Sequence, residues 1–225
     1  GLCAYWRFEG NSLELQDSSG NRLTGDLGGA QRATGAFGSA LYLDGGGGVA
    51  TFPDCPLLQF GTGGFSLEGW LYPVSLDVTS EHKRRRVLGK EGYPATWWNV
   101  DILTDGRVQM EMADELAHSG TTVSEGVLPL MAWTHLVITV DRTSRKTSYY
   151  MNGRLDSVRD LPPTFTGALD VPGRPLLTGA WQPYIGALSE LKVYKRVLGA
   201  EDVAGSYEGA KGRYAEGAVK VDDDE

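Results

Sequence analysis

Cysteine, histidine, positive charge and long apolar runs are what this sequence has least of. Two cysteines in 225 residues, Cys3 and Cys55, are too few for a disulfide scaffold, and a chain of this length needs none to hold a core. They stand either as two free thiols or as one bridge between the first strand and the loop FPDCP. With only His82, His118 and His135 present, no Ser/His/Asp or Cys/His signature of nucleophilic catalysis stands out. No apolar run approaches the ~18 residues that span a bilayer, and the N-terminus lacks the basic and apolar regions of a signal peptide, so the chain reads as a piece of a longer precursor. Against 29 Asp and Glu there are 21 Lys and Arg, a net charge of −8. That field repels phosphate, which argues against nucleic acid and anionic lipid as partners.

Glycine is what the sequence has in abundance, 31 residues with 10 prolines, which points to many turns and few helices. Strand-like alternation recurs between these breakers, favouring an antiparallel all-β sandwich over alternating βα units. Strands are predicted at about 2–8, 39–44, 48–53, 65–72, 86–90, 97–103, 107–112, 133–141, 147–151 and 185–194. Two hairpins are signposted, WTHLVITVDRTSRKTSYYMNG and WNVDILTDGRVQMEM, the second turning at Asp105-Gly106. The one predicted helical turn is AEDVAGSYEGA, acidic at its start. No repeat of solenoid or propeller period is visible. Residues 1–208 read as one domain. Residues 209–225 contain AEGAVKVDDDE, which lacks aromatics and ends in four acids, and read as an acidic linker or tail.

FSLEGWLYP places Glu68 in mid-strand on the same face as Trp70 and Tyr72. A carboxylate there is a catalytic acid, a ligand contact or a buried group satisfied by partners on neighbouring strands. His135, also in mid-strand, reads as a satisfied core imidazole. Calcium takes six to eight oxygens from loops that bend around it. LQDSSGNRLTGD supplies Asp17, Asn21 and Asp26 between glycines, and YLDGGGG supplies Asp44. Asp-Ser-Ser-Gly-Asn is equally a good turn held by its own aspartate. Exposed aromatics bind sugars by stacking on their C–H faces, with a few polar groups setting orientation. The candidates are Tyr93, Trp97 and Trp98 in EGYPATWWNVD, and Trp181 and Tyr184 in GAWQPYIG. Trp97 and Trp98 cannot both face the core of one strand; the outward ring is either a ligand platform or covered by segment 74–96. Arg85, within HKRRR, either meets a sulfated or carboxylated glycan or belongs to a solvated loop face.

Taken together, AYWRFEGN, DSSGN, FGSALYLDG, FSLEGWLYP, WTHLVITVDR, YYMNG and IGALSELKVYKRVLGAEDVAGSY resemble the laminin-G-like domains of the concanavalin A-like lectin/glucanase superfamily, over about residues 2–207. The resemblance is greatest to modules inserted in large bacterial extracytoplasmic proteins. It implies a two-sheet jelly roll with its first and last strands adjacent, and an extracytoplasmic location. It also implies a structural calcium beside DSSGN, with a further oxygen from Glu190. The implied function is a non-catalytic recognition module, for polysaccharide first and for a protein partner or neighbouring domain second. The superfamily also holds glycoside hydrolases, whose paired acids come from one strand in a Glu-x-Asp-x-x-Glu pattern. Glu68 is followed on its face by Trp70 and Tyr72, so that pattern is absent. A hydrolase or lyase here would have to pair Glu68 with a carboxylate from another strand; no catalytic residue is assigned.

Overall fold

A computed structural model of the protein describes residues 1–35, 38–78, 81–214 and 220–221. The first strands are β1 (Leu2–Trp6), β2 (Glu14–Leu15), β3 (Gly25–Asp26), β4 (Gln31–Gly35), β5 (Gly38–Asp44) and β6 (Ala50–Phe52). The central ones are β7 (Phe65–Ser75), β8 (Arg84–Gly92), β9 (Thr96–Leu103), β10 (Arg107–Ala113), β11 (Thr122–Val127) and β12 (Thr134–Asp141). The last are β13 (Lys146–Met151), β14 (Arg154–Asp160), β15 (Leu176–Thr178), β16 (Ile185–Tyr194) and β17 (Lys220–Val221), with helix α1 (Ala200–Ala210) between the final two.

These form two antiparallel sheets, as expected of a concanavalin A-like jelly roll. One runs β14-β13-β12-β7-β16-β5-β4-β17, with β1 also paired to β16; the other runs β11-β10-β9-β8-β15-β6-β3-β2. The first strand lies beside the last long strand, Tyr5 opposite Lys192. Alternation decides what fills the space between the sheets. On β9, Trp98, Val100 and Ile102 point inward, and on β10 Val108, Met110 and Met112 do the same. Phe60 stacks on Phe65 at 4.0 Å and tilts against Trp98 at 5.5 Å, forming the aromatic centre of this core.

Helix α1 lies on the outer face of the nine-stranded sheet. Asp202 accepts from the Gly199 N–H at its start and pairs with Arg196, while Val203 buries against Val137, Tyr150 and Leu198. Beyond it, Tyr214 stacks on Trp70 with ring centroids 4.1 Å apart and shares a 2.9 Å hydrogen bond with Ser189. The predicted boundary at residue 208 therefore moves outward. The folded body includes residues 209–214, and Lys220–Val221 pairs with β4 at Thr34 and Ala33. The other residues of the predicted tail lie outside the described residues. A chain ended at residue 208 loses the Tyr214 ring from Trp70 and is expected to be about 1–3 kcal/mol less stable than one ended at 214. Thermal melts of the two chains measure this, and equal midpoints would return the boundary to 208.

Cys3 is buried, Cys55 is partly buried, and both thiols are free. Burial pushes the Cys3 thiol up from its usual range.

Candidate functional site

Glu68 lies under helix α1, only 3% exposed. Its Oε1 receives the Lys192 ammonium at 2.8 Å, His135 Nε2 at 3.2 Å and the Ser206 hydroxyl, and its Oε2 accepts from the Tyr194 hydroxyl at 2.9 Å. Burial alone would raise its pKa. The His135 hydrogen bond, the Lys192 charge and the Ser206 hydroxyl outweigh burial and bring it down to about 2. The carboxylate ties β7, β12, β16 and α1 together, its side chain only 2% exposed.

Charged and aromatic side chains meet in an open groove on the other sheet. A groove of about 390 Å³ runs over the outer face of β8, β9 and β10. Its floor follows from strand phase. Because Trp98, Val100 and Ile102 face inward, Trp97, Asn99 and Asp101 face outward. Glu111, between the inward Met110 and Met112, joins them from β10. On β8 the register shifts between Arg86 and Leu88, so Val87 and Leu88 both enter the core while Arg84, Arg86 and Glu91 stay outside. A Cβ on Gly89 would sit 2.2 Å from Asn99 Oδ1, so glycine there leaves room for the floor to close.

One guanidinium organises the floor. Arg86 donates from Nε to Asp101 at 2.8 Å, from Nη2 to Asp101 and Glu111 at 3.3 Å each, and from Nη1 to Glu91. Arg84 Nη1 reaches Glu111 at 2.9 Å and its Nε lies 3.5 Å from Asp101. With its oxygen toward Arg86 at 3.2 Å, the Asn99 amide also donates to the Trp98 carbonyl at 2.9 Å. Asp101 is wholly buried, and burial, with Glu111 beside it, pushes its carboxyl up against the pull of the two arginines.

The walls are aromatic. Tyr93 and Trp97 meet with centroids 5.4 Å apart, and Trp181 stands 76% exposed, as does Tyr93. The loop carrying Trp181 is fixed to β8: Arg86 N–H donates to the Gln182 carbonyl at 2.8 Å and Tyr184 N–H to the Arg86 carbonyl at 3.0 Å. Trp181 itself has φ +54°, a left-handed conformation costly for a bulky side chain and frequent at ligand sites.

Of the ligand residues expected from sequence, Tyr93, Trp97 and Trp181 come together in this groove. Three do not. Trp98 and Tyr184 are fully buried core side chains. Arg85 pairs in register with the inward Ile102 and donates to the Pro183 and Asp77 carbonyls instead, because one residue of phase moves a strand side chain to the other face. His82, Arg84 and Arg86 come from the run HKRRR that the sequence singled out, whereas Glu91, Asn99, Asp101, Glu111 and Gln182 were not foreseen as ligand residues. The alternation around Trp98, Val100 and Ile102 was the signal that separates Trp97 from its neighbour. A larger hollow of about 640 Å³ on the opposite sheet, over Trp70 and Tyr214, brings only one charged side chain, Lys211. Asn152, Trp133, Tyr207 and Tyr214 line it beside Lys211, but no network of paired charges like that of Arg86 crosses its lining.

The structure gives protein partners to the residues expected to hold calcium. Asp17 accepts the N–H groups of Tyr5, Ser19 and Leu23 at 2.8–3.0 Å and the Ser19 hydroxyl at 2.8 Å. Asp26 and Asp44 each accept a glycine N–H two residues on. The Asn21 amide donates to the Cys3 carbonyl at 2.9 Å. Glu190 faces Arg213 at 2.8 Å, Arg7 at 3.9 Å and the Tyr5 hydroxyl. These oxygens are held by turns and cations, and among the described residues no three His, Cys, Asp or Glu gather to hold a metal.

A family model described as the concanavalin A-like lectin/glucanases superfamily matches residues 44–204. The chain belongs to this superfamily. No curated protein matches the sequence. Among solved structures it is similar to the binding domain of Paraclostridial Mosquitocidal Protein 1, at 16% identity and TM-score 0.74, covering 92% of this chain and 52% of that one. The botulinum neurotoxin serotype D ligand binding domain, in complex with N-acetylneuraminic acid, gives 17% and 0.71, covering 92% and 50%. Domain 4 of an extracellular arabinanase from Geobacillus stearothermophilus, in complex with arabinotriose, gives 24% and 0.68, covering 91% and 97%. The chain thus spans about half of the toxin domains and nearly all of the arabinanase domain. At these identities the likeness establishes the fold. Among the described residues, no helix is long and apolar enough to cross a membrane.

Proposed function

We propose that this superfamily member is a non-catalytic carbohydrate-recognition module of a larger extracytoplasmic protein, with the β8–β10 groove as its ligand surface. The observation that carries this reading is the meeting of Tyr93, Trp97 and Trp181 with fixed polar groups in one open groove. Aromatic faces stack on sugar C–H groups, and the carboxylates accept from hydroxyls. Similar domains solved with arabinotriose and with N-acetylneuraminic acid support a sugar as ligand, and the relation to an extracellular arabinanase domain supports the location.

Absence of catalysis is supported by the state of the acids. A glycosidase needs one protonated donor and one free base or nucleophile on either side of the scissile bond. Here Glu91, Asp101 and Glu111 are all paired to Arg86, and Asp101 has no exposed surface.

Replacing Trp181 by alanine is expected to weaken retention on a bound polysaccharide by about 30-fold or more. So exposed a ring contributes little to stability, so the melting temperature should hold. Affinity electrophoresis with parallel thermal melts reads both. Wild-type protein that ignores every glycan on a broad array would turn the reading to a protein contact or an architectural insert, and release of reducing sugar from any polysaccharide would turn it to an enzyme.

A further inference from the structure

If the groove is a sugar site, as proposed above, its charge pattern sets the class of sugar it takes. Two guanidiniums, Arg84 and Arg86, face three carboxylates, Glu91, Asp101 and Glu111. The cations are turned inward. All three nitrogens of Arg86 donate to carboxylates, and Nη1 and Nε of Arg84 are directed at Glu111 and Asp101. Bidentate capture of a uronate, sialate or sulfate requires a free guanidinium edge. Freeing Arg86 would strip Glu91 of its partner and the buried Asp101 of its nearer one, and a buried carboxylate left poorly paired is strongly unfavourable. Count also sets the sign: with His82 neutral, one more carboxylate than guanidinium leaves the groove negative. The net charge of −8 adds repulsion at longer range.

We propose that the groove selects neutral saccharides and rejects acidic ones. Glu91 and Glu111 are the acceptors the ligand meets, their side chains 20% and 21% exposed. Their outer lone pairs take hydroxyl hydrogens, bonds strengthened by the charge on the acceptor. Trp97, Tyr93 and Trp181 supply the stacking faces. Within the basic run HKRRR, which by sequence alone suits a sulfated or carboxylated glycan, Arg84 and Arg86 are paired with carboxylates of the groove and Arg85 with backbone carbonyls.

Affinity electrophoresis tests this in gels cast with linear arabinan, galactan, xylan or mixed-linkage glucan, and in gels cast with polygalacturonate or chondroitin sulfate, each against a polymer-free gel. The expected result is retardation by at least one neutral polymer and by neither acidic one. Glu111→Gln releases Arg84 Nη1 and removes the surplus charge. It should weaken neutral retention about tenfold or more and create retardation by polygalacturonate. Glu91→Gln serves the same purpose if the first variant melts early. Wild-type retardation by an acidic polymer that Trp181→Ala removes would overturn neutral selectivity and leave the groove a sugar site. No retardation by any polymer would overturn the recognition role itself.

Discussion

Replacing Glu68 by alanine is expected to lower the unfolding free energy by about 3 to 5 kcal/mol, the usual consequence of removing one member of a buried ion pair. The loss comes from what is left behind. The Lys192 ammonium, with its side chain 14% exposed, and the His135 ring, fully buried, would have no carboxylate to face. Glu68→Gln refines the experiment, because it keeps the shape and removes the charge. The Glu68 pKa is about 2 against an ordinary 4.5. A carboxyl depressed in the folded state contributes stability above the higher value and loses it as pH falls toward the lower. Across that window its contribution, about 3 kcal/mol, should drain from the wild type between pH 4.5 and 2. Denaturant melts at neutral pH and at successively lower pH should show the wild type more stable at first and the two converging in acid. A variant with wild-type stability at every pH would sink the account of Glu68 as a clasp for α1.

Trp98→Ala should be about as damaging, costing roughly 3–5 kcal/mol through the cavity it leaves beside Phe60 and Phe65. For a chain of this size that is a melting point lower by roughly 10 °C or more. Trp97→Ala, one residue away, removes a partly exposed ring from the groove wall and should leave the melting point nearly unchanged while weakening ligand retention. Thermal melts of the two alanine variants compare neighbouring tryptophans of one strand. A larger fall for Trp97→Ala would mean that the phase of β9 described here is wrong.

That pair shows where sequence reading stops. The long alternating strands were legible, and β16 spans Ile185–Tyr194, the predicted 185–194. The helical segment AEDVAGSYEGA forms α1 from Ala200 to Ala210. Strands passed over were short or at edges, such as β14, RLDSVRD, where Ser157 is the one buried side chain. With a single buried position there is no alternation to detect. The groove was half legible for a related reason. Aromatic rings advertise themselves in sequence, whereas the Arg86 network joins three carboxylates at positions 91, 101 and 111, and only the lateral order of β8, β9 and β10 brings them together. The same gap hid the partners of the acidic loops: the turn chemistry of Asp17 was readable, but not that Arg213 would face Glu190 from beyond α1.

The two sheets divide the labour of attachment and access. Leu2 in β1 and Val221 in β17 both pair into the nine-stranded layer, while Trp181 and the arginine network sit on the far side of the sandwich. A host protein, a tether or an immobilising tag joined at either end would therefore hold the molecule by its back. The β8–β10 groove would then look outward, so a unit held from the nine-stranded sheet keeps the proposed ligand surface uncovered.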